Sequence, residues 1–233
     1  MKKEYSTVLF DADNTLLDFD RAEENALTRI LTELGLNVTK KITDRYSEIN
    51  LSFWKAFEKG EVTKAELRTK RFEKLFDELG FHCPLGLEAV ADTYLSYLAE
   101  GSFLLDGALY LCQRLKEKGF AVFIITNGVA NTQRKRLKDS GLDRFLDGLF
   151  ISEDIGTQKP FPAFFDFVFE HIEEKDRSKI VVVGDSYSSD IAGACGVGLD
   201  CVWLNRNKDE NTRSLPITKE IQSLDELFEF FEL

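Results

Sequence analysis

Near its N-terminus the chain reads Val8-Leu9-Phe10-Asp11-Ala12-Asp13-Asn14-Thr15, and the fold can be inferred from this segment. A short apolar run of this kind is typical of a strand buried on both faces of a parallel sheet. An isolated Asp-x-Asp is more often a turn with capping carboxylates. Here Asp11 and Asp13 directly follow a buried strand and precede Asn14 and Thr15, and this placement indicates a catalytic role instead.

Short apolar segments of the same kind recur along the rest of the chain. Four more short, apolar, β-rich segments occur at 121–125, 149–151, 180–183 and 201–204. Helical patterns separate them, and two of these patterns stop at a glycine, as helices often do. Strand and helix alternating in this way predict an α/β fold with a doubly wound parallel sheet.

Residues 19–102 differ from the rest. They hold long amphipathic patterns with no convincing strand, which predict a four-helix unit inserted after the first strand and its turn. We therefore expect a catalytic core made of residues 1–18 and 103–233 and a separate helical domain made of residues 19–102.

The bulk properties restrict the class of partner. The chain has 233 residues, 43% of them hydrophobic, and a formal net charge of −11. Nucleic-acid polymers and anionic membranes need clustered Lys and Arg, so neither is expected as a partner. A small phosphate ester remains open, because a metal ion and one or two cations can reverse the local potential. We expect a monomer or a weak homo-oligomer.

The cysteines and the apolar runs indicate a cytoplasmic location. The four cysteines form no Cys-x-x-Cys pair and are interpreted mainly as core thiols, which fits a reducing compartment. The apolar run before Asp11 is too short for a secretion signal. No stretch approaches the roughly 20 apolar residues that span a bilayer.

Unusual polar residues follow the predicted strands. Because the carboxyl ends of parallel strands meet at one edge of the sheet, residues that are distant in sequence are expected to converge there. Alone, each group has an ordinary explanation as a cap, a turn or a solvated surface residue. The combination, in this order, is specific: Asp11 and Asp13, Thr126 with Asn127, Lys159, and Asp185 with Asp190.

These residue types suit phosphoryl transfer. Asp11 can attack phosphorus and form an acyl-phosphate, which divides hydrolysis into two displacements. Asp13 can protonate the leaving alkoxide and then accept a proton from the attacking water. Thr126 and Asn127 offer hydroxyl, amide and backbone donors to the phosphoryl oxygens. Lys159 offsets negative charge in the transition state.

Carboxylates facing a phosphate require a cation. Mg²⁺ prefers a few hard oxygen ligands and completes its octahedron with waters and a phosphate oxygen. We assign its site to Asp11, Asp13, Asp185 and Asp190. A backbone carbonyl is expected among the ligands, and Asp190 either binds the ion directly or supports a ligand.

The motifs resemble those of the haloacid dehalogenase-like hydrolase superfamily. Asp11 to Thr15 resembles its first motif, Thr126 the second, Lys159 the third and Gly184 to Asp190 the fourth. The resemblance runs the length of the chain, and it implies that the inserted helices are the superfamily's helical cap. Asn14 stands where many members have glycine, and we expect little effect because this position contributes mainly backbone.

A closer resemblance is to the pyrimidine 5′-nucleotidase subgroup, which hydrolyses nucleoside monophosphates that include non-standard bases. It is carried by these segments: 10–17, 53–54, 57 with 60–63, 71–72, 126–128, 151–156 and 202–205. The resemblance implies a pyrimidine nucleoside monophosphate as substrate. The aromatic residues and Arg71 within these cap segments are interpreted as core residues and are left out of the predicted site.

Three other interpretations remain. A sugar-phosphate phosphatase or phosphomutase would share the core, and only the cap distinguishes it. A 2-haloacid dehalogenase would need neither a metal nor Asp13 as an acid, so the presence of Asp13 and Asp185 disfavours it. A catalytically silent binding module is expected to lack at least one of the four motifs, and none is missing.

Overall fold

The computed structural model describes residues 4–212 and 214–233. The chain forms two compact units: one comprises the segment up to Asp18 together with Ser102–Leu233, and the other is Phe19–Gly101. Each unit is described by itself.

The second unit is helical. Its helices are α1 (Phe19–Glu33), α2 (Lys40–Glu58), α3 (Lys64–Leu79) and α4 (Leu87–Glu100). Helix α3 begins with a capping box, in which Thr63 Oγ1 accepts from the Glu66 amide and the Glu66 carboxylate accepts from the Thr63 amide. It ends at Gly80, whose φ of +59° is left-handed and favours glycine.

A buried polar network lies inside this helical unit. Asn50 donates from Nδ2 to Glu23 Oε1 at 2.6 Å and accepts from Arg71 Nη1 at 2.9 Å. Ser47 Oγ donates to the other Glu23 oxygen at 2.5 Å. The Arg71 guanidinium lies 4.7 Å from the centre of the Tyr94 ring. Burial raises the pKa of Glu23, and the contacts with Ser47, Arg71 and Asn50 offset this in part.

The cap residues interpreted as core are buried or half-buried. Phe57, Arg71 and Phe72 are buried, and Phe53 and Trp54 are half-buried. Phe72 packs on Tyr46 with ring centres 5.3 Å apart. Aromatic residues at helical spacing thus fill this unit's interior, as the pattern predicted.

The first unit is built on a parallel sheet. Its strands are β1 (Thr7–Phe10), β2 (Ala121–Thr126), β3 (Gly148–Ile151), β4 (Ile180–Gly184), β5 (Asp200–Leu204) and β6 (Lys219–Ile221). Their order is β3-β2-β1-β4-β5-β6, and every pair is parallel. The predicted doubly wound α/β fold is confirmed. The strand order reverses beside β1, so a ligand-binding crevice is expected at the carboxyl ends of β1 and β4.

Helices cover both faces of the sheet. They are α5 (Ala108–Glu117), α6 (Ala130–Asp139), α7 (Ser152–Ile155), α8 (Pro162–His171), α9 (Ala192–Gly196) and α10 (Glu226–Phe230), with a π-helical turn at Tyr187–Ile191. Val8 and Phe10 belong to the hydrophobic cluster on one face and Leu9 to the cluster on the other. This alternation along β1 gives the continuous apolar run that the sequence shows.

Helix α8 ends at His171, and after the buried Ile172 the next five residues, 173–177, are all charged. One strand of the core differs from the sequence prediction. Strand β6 was not predicted, since Lys219-Glu220-Ile221 contains one apolar residue. It lies at the sheet edge, where short, charged strands are common.

Within the described part of the chain, no helix combines the length and the apolar character needed to cross a membrane.

The polar network of the helical unit gives a stability prediction. Asn50→Leu removes one hydrogen-bond partner each from Glu23 and Arg71, which are both buried. We expect the free energy of unfolding to fall by about 3 kcal/mol, because buried polar groups that lose a partner keep their desolvation cost. Urea denaturation followed by tryptophan fluorescence measures this, since Trp54 lies in the same unit.

The matched control is Asn37→Leu, at an exposed position between α1 and α2. It should change the free energy of unfolding by no more than about 0.5 kcal/mol. Equal effects of the two substitutions would contradict a structural role for the network.

Candidate active site

The Lys159 side chain connects the other residues of the site. Its ammonium donates to Asp11 Oδ1, to Asp190 Oδ1 and to the carbonyl of Ile125, each at 2.7 Å. A lysine has three N–H donors, so every donor is used. The side chain is 1% exposed. These contacts join the end of β1, the end of β2 and the turn after β4 at one point.

The backbone of Lys159 is held by Asn127. The Asn127 side chain accepts from the Lys159 amide and donates to the Lys159 carbonyl, both at 2.9 Å. We predicted that this side-chain amide would contact the phosphoryl group. In the structure both of its polar atoms bond to the Lys159 backbone and so position the loop that carries Lys159. The contact of this side chain with a phosphoryl group stays a prediction. The contact predicted for the Asn127 backbone N–H stays a prediction.

Three carboxylates crowd together at the carboxyl ends of β1 and β4. Asp11, Asp185 and Asp190 each offer one oxygen, and these oxygens lie within 4.8 Å of one another. The Asp13 carboxylate, which the sequence analysis also assigned to the metal, does not belong to this cluster. A metal contact of Asp13 stays a prediction. Hard oxygen atoms in this number and spacing suit Mg²⁺.

Local geometry explains how the Asp190 carboxylate comes so close to those of Asp11 and Asp185. Its Oδ2 accepts from the Ser186 amide at 3.1 Å, within the turn after β4. A Cβ at Gly184 would lie 2.3 Å from the same oxygen, so that position has to be glycine. Asp190 is completely buried.

Asp185 is fixed from two sides. Thr15 Oγ1 accepts from the Asp185 amide at 3.1 Å and also contacts its Oδ1 at 3.4 Å. Trp203 Nε1 donates to the Asp185 carbonyl at 2.9 Å. Thr15 is completely buried, so the last residue of the opening motif supports the Asp185 loop.

The crowding shifts the pKa values of the site. Burial raises the pKa of Asp11 to about 7; Lys159 opposes this, while the charges of Asp190 and Asp13 reinforce it. Burial, followed by the charges of Asp11 and Asp190, raises the pKa of Asp185 well above its usual range. Burial alone would lower the pKa of Lys159, but Asp11 and Asp190 raise it above the ordinary value. One ammonium does not balance three carboxylates, so the cluster fits a divalent cation.

Asp13 faces residues that the sequence analysis missed. Arg136 Nη1 donates to Asp13 Oδ1, and Gln133 Nε2 donates to Asp13 Oδ2 at 2.8 Å. Gln133 and Arg136 are buried on α6, one helical turn apart. The available signal was their (i, i+3) spacing in the helix that follows the Thr126 strand end, which places two polar residues on one face.

Thr126 is buried beside this pair. Its Oγ1 accepts from the Gly128 amide at 3.0 Å and from Gln133 Nε2 at 2.9 Å. The two lone pairs of the hydroxyl are then occupied, which leaves its O–H to donate to a ligand. The predicted donation from Thr126 to a phosphoryl oxygen is compatible with these contacts and stays a prediction.

Asn14 has a φ of +56°. This left-handed conformation favours glycine, and asparagine tolerates it better than most residues do. The departure from the glycine common in the resembled family is thus accommodated by the backbone.

The chain is similar to known proteins along most of its length. The family model for haloacid dehalogenase-like hydrolases matches residues 5–198. YfnB, described as a HAD-hydrolase of Bacillus subtilis, is 38% identical over 99% of this chain and 97% of its own length. A crystal structure of YfnB bound to magnesium superposes with a TM-score of 0.93, covering 99% of this chain and all of that one.

Two similar relatives are named as pyrimidine 5′-nucleotidases. PynA of Streptococcus pneumoniae is 36% identical over 97% of this chain and 94% of its own length. YjjG of Escherichia coli is 32% identical over 94% and 95%. With the family model matching most of the chain, the chain belongs to the haloacid dehalogenase-like hydrolase family.

Proposed function

We propose that this protein is a Mg²⁺-dependent phosphomonoesterase that works through an aspartyl-phosphate and acts on pyrimidine nucleoside 5′-monophosphates. The observation that carries the proposal is the placement of Asp11. It lies at the end of a central strand, held by the Lys159 ammonium at 2.7 Å and close to the carboxylates of Asp185 and Asp190. A carboxylate held rigidly beside cationic charge is suited to attack a phosphate dianion.

In the first step, an Asp11 oxygen attacks phosphorus and the ester P–O bond breaks. The electron pair of that bond goes to the leaving oxygen, which takes a proton from Asp13. Thr126 donates its O–H to a phosphoryl oxygen. Lys159 keeps Asp11 in place and offsets negative charge as it accumulates.

In the second step, water attacks the phosphorus of the aspartyl-phosphate. The bond between phosphorus and the Asp11 oxygen breaks and its electron pair returns to Asp11. Asp13 accepts the proton that the water loses, which restores the proton it gave in the first step. The products are the alcohol and inorganic phosphate.

Asp11, Asp185 and Asp190 would hold the metal, with the backbone carbonyl of Asp13 as a further proposed ligand. When bound, Mg²⁺ supplies positive charge that lets a phosphate dianion approach these carboxylates. The crystal structure of the relative YfnB with magnesium supports this choice of ion.

The substrate class rests on likeness rather than on the core chemistry. The names of PynA and YjjG support a pyrimidine nucleotide, as do the subgroup-like segments within the helical unit. We propose that this unit, Phe19–Gly101, is the cap that selects the substrate. The unpaired cysteine thiols support the cytoplasm as the proposed location.

A phosphate-release screen tests the proposed substrate. Purified protein with Mg²⁺ is assayed on UMP, dUMP, dTMP, purine monophosphates and sugar phosphates. We expect kcat/KM to be highest for the pyrimidine nucleotides. Higher kcat/KM for sugar phosphates would overturn the nucleotidase assignment and leave the core chemistry in place.

Two variants control that screen. Asp11→Asn should lower kcat by at least about 10³-fold, since losing the nucleophile removes the covalent route. Asp166→Asn, at an exposed position on α8, should leave kcat unchanged. Substantial turnover by Asp11→Asn, with the same unfolding temperature as the wild type, would contradict the assignment of Asp11 as the nucleophile.

Metal removal gives an independent prediction. After dialysis against a chelator, hydrolysis should stop and return with Mg²⁺. Adding Mg²⁺ at about 100 times its Kd should raise the unfolding temperature by several degrees, because an ion that binds only the folded state stabilises it. Asp185→Asn should abolish this shift, and Asp166→Asn should retain it. Full activity without metal would favour dehalogenase-type chemistry.

A further inference from the structure

Both oxygens of the Asp13 carboxylate accept N–H bonds from one helix. Arg136 Nη1 donates to Oδ1, and Gln133 Nε2 donates to Oδ2 at 2.8 Å. Guanidinium and amide N–H groups donate, so both Asp13 oxygens are oriented from the side of α6. Hydrogen bonds to an ionised acceptor are among the stronger ones in proteins.

Gln133 has a second partner at the phosphate-binding position. Its Nε2 also donates to Thr126 Oγ1 at 2.9 Å, and its Oε1 accepts from Arg136 Nη1 at 3.2 Å. The bond from Arg136 fixes which end of the amide carries the oxygen. One amide thus connects the Asp13 carboxylate to the Thr126 hydroxyl and orients both.

Gly128 provides the space for this amide. A Cβ built at Gly128 would lie 2.6 Å from Gln133 Cδ and 2.7 Å from its Nε2. The φ of Gly128 is not among the positive values, so backbone conformation is not what demands glycine here. The glycine of Thr126-Asn127-Gly128 is explained by its contact with Gln133.

The burial of this network distinguishes it from ordinary packing. Arg136 is completely buried and Gln133 is 1% exposed. Burying a guanidinium costs free energy that an ion pair only roughly recovers, and apolar residues of similar volume serve stability as well or better. The buried arginine of α6 is therefore weakly explained by stability alone.

We propose that Gln133 and Arg136 are positioning residues that hold Asp13 as the proton acceptor for hydrolysis of the aspartyl-phosphate. The inference rests on the proposed phosphomonoesterase function. In that step the water oxygen bonds to phosphorus, the bond from phosphorus to Asp11 breaks, and the water proton moves to a lone pair on Asp13. Donors on both Asp13 oxygens keep the carboxylate aimed while its remaining lone pairs stay open to the water.

The two half-reactions depend differently on this positioning. With 4-nitrophenyl phosphate, the leaving phenolate needs little protonation, so formation of the aspartyl-phosphate makes a small demand on Asp13. Breakdown of the aspartyl-phosphate still needs Asp13 to accept a proton. The parameter kcat/KM reports only on steps up to the first irreversible one, which is formation of the aspartyl-phosphate, whereas kcat also includes its breakdown. Comparing kcat with kcat/KM therefore separates the role of Asp13 in formation from its role in breakdown.

The test compares Arg136→Met, Gln133→Met and Gly128→Ala with wild type on 4-nitrophenyl phosphate and on the preferred phosphomonoester. We expect kcat on the aryl phosphate to fall about 10- to 100-fold for Arg136→Met, with kcat/KM changed less than about threefold. The phosphorylated fraction of the enzyme, measured by intact mass after acid quench, should rise. Gly128→Ala should give the same pattern with Gln133 itself unaltered.

Controls keep the result specific. Arg134→Met removes an exposed arginine of the same helix that pairs with Asp154, and it should leave both parameters unchanged. Arg136→Lys, which keeps a charged donor, should recover part of kcat. If Arg136→Met does not fold, judged by thermal unfolding, Gln133→Met and Gly128→Ala decide the question.

The outcomes distinguish the two proposals. If the wild type hydrolyses phosphomonoesters and the variants lose kcat and kcat/KM equally, without accumulating phosphoenzyme, the positioning role is wrong and the proposed function stands. Unchanged kcat in the folded variants has the same meaning. If the wild type hydrolyses no phosphomonoester, the proposed function fails and the positioning role fails with it.

Discussion

The buried ammonium of Lys159 is the interaction on which the site depends. It ties together three segments that are distant in sequence: Asp11 after β1, the Ile125 carbonyl of β2 and Asp190 after β4. Removing one partner of a buried ion pair costs about 3–5 kcal/mol, because the remaining charge stays desolvated. The carboxylates and the lysine therefore hold one another in place. These buried ion pairs keep the Asp11 side chain rigid.

The site contains two separate polar networks. In the first, Lys159 and three carboxylates make a strongly negative cluster whose charge a divalent cation would balance. In the second, Gln133 and Arg136 on α6 hold Asp13 and Thr126. In the proposed mechanism this separation matters, because the Asp13 carboxylate stays outside the cluster proposed to hold the metal and is the group proposed to transfer the proton.

Most of the sheet was predictable from the sequence because buried parallel strands leave an unambiguous apolar run. Asp11, Thr126 and Asp185 were identifiable since each directly follows such a run, where the topology brings side chains together. Strand β6 was missed because an edge strand of three residues has little apolar content.

The supporting residues were harder to predict. The role of Asn127 depends on a contact with Lys159, 32 positions away in the sequence, and no local pattern encodes that contact. Gln133 and Arg136 lie in a segment that reads as a polar surface helix, and only the fold shows that both are buried. Gly184 and Gly128 were visible as residues, but the reason for each is a side chain that approaches it in three dimensions.

The proposed mechanism requires that Asp11 becomes covalently phosphorylated during turnover. The most direct measurement is to mix the protein with its preferred phosphomonoester and Mg²⁺, quench in acid on the millisecond scale, digest, and locate the phosphoryl group by mass spectrometry. We expect a single phosphoryl group on Asp11 and none in Asp11→Asn. Turnover with no phosphorylated peptide at any quench time, or with the phosphoryl group on another residue, would contradict it.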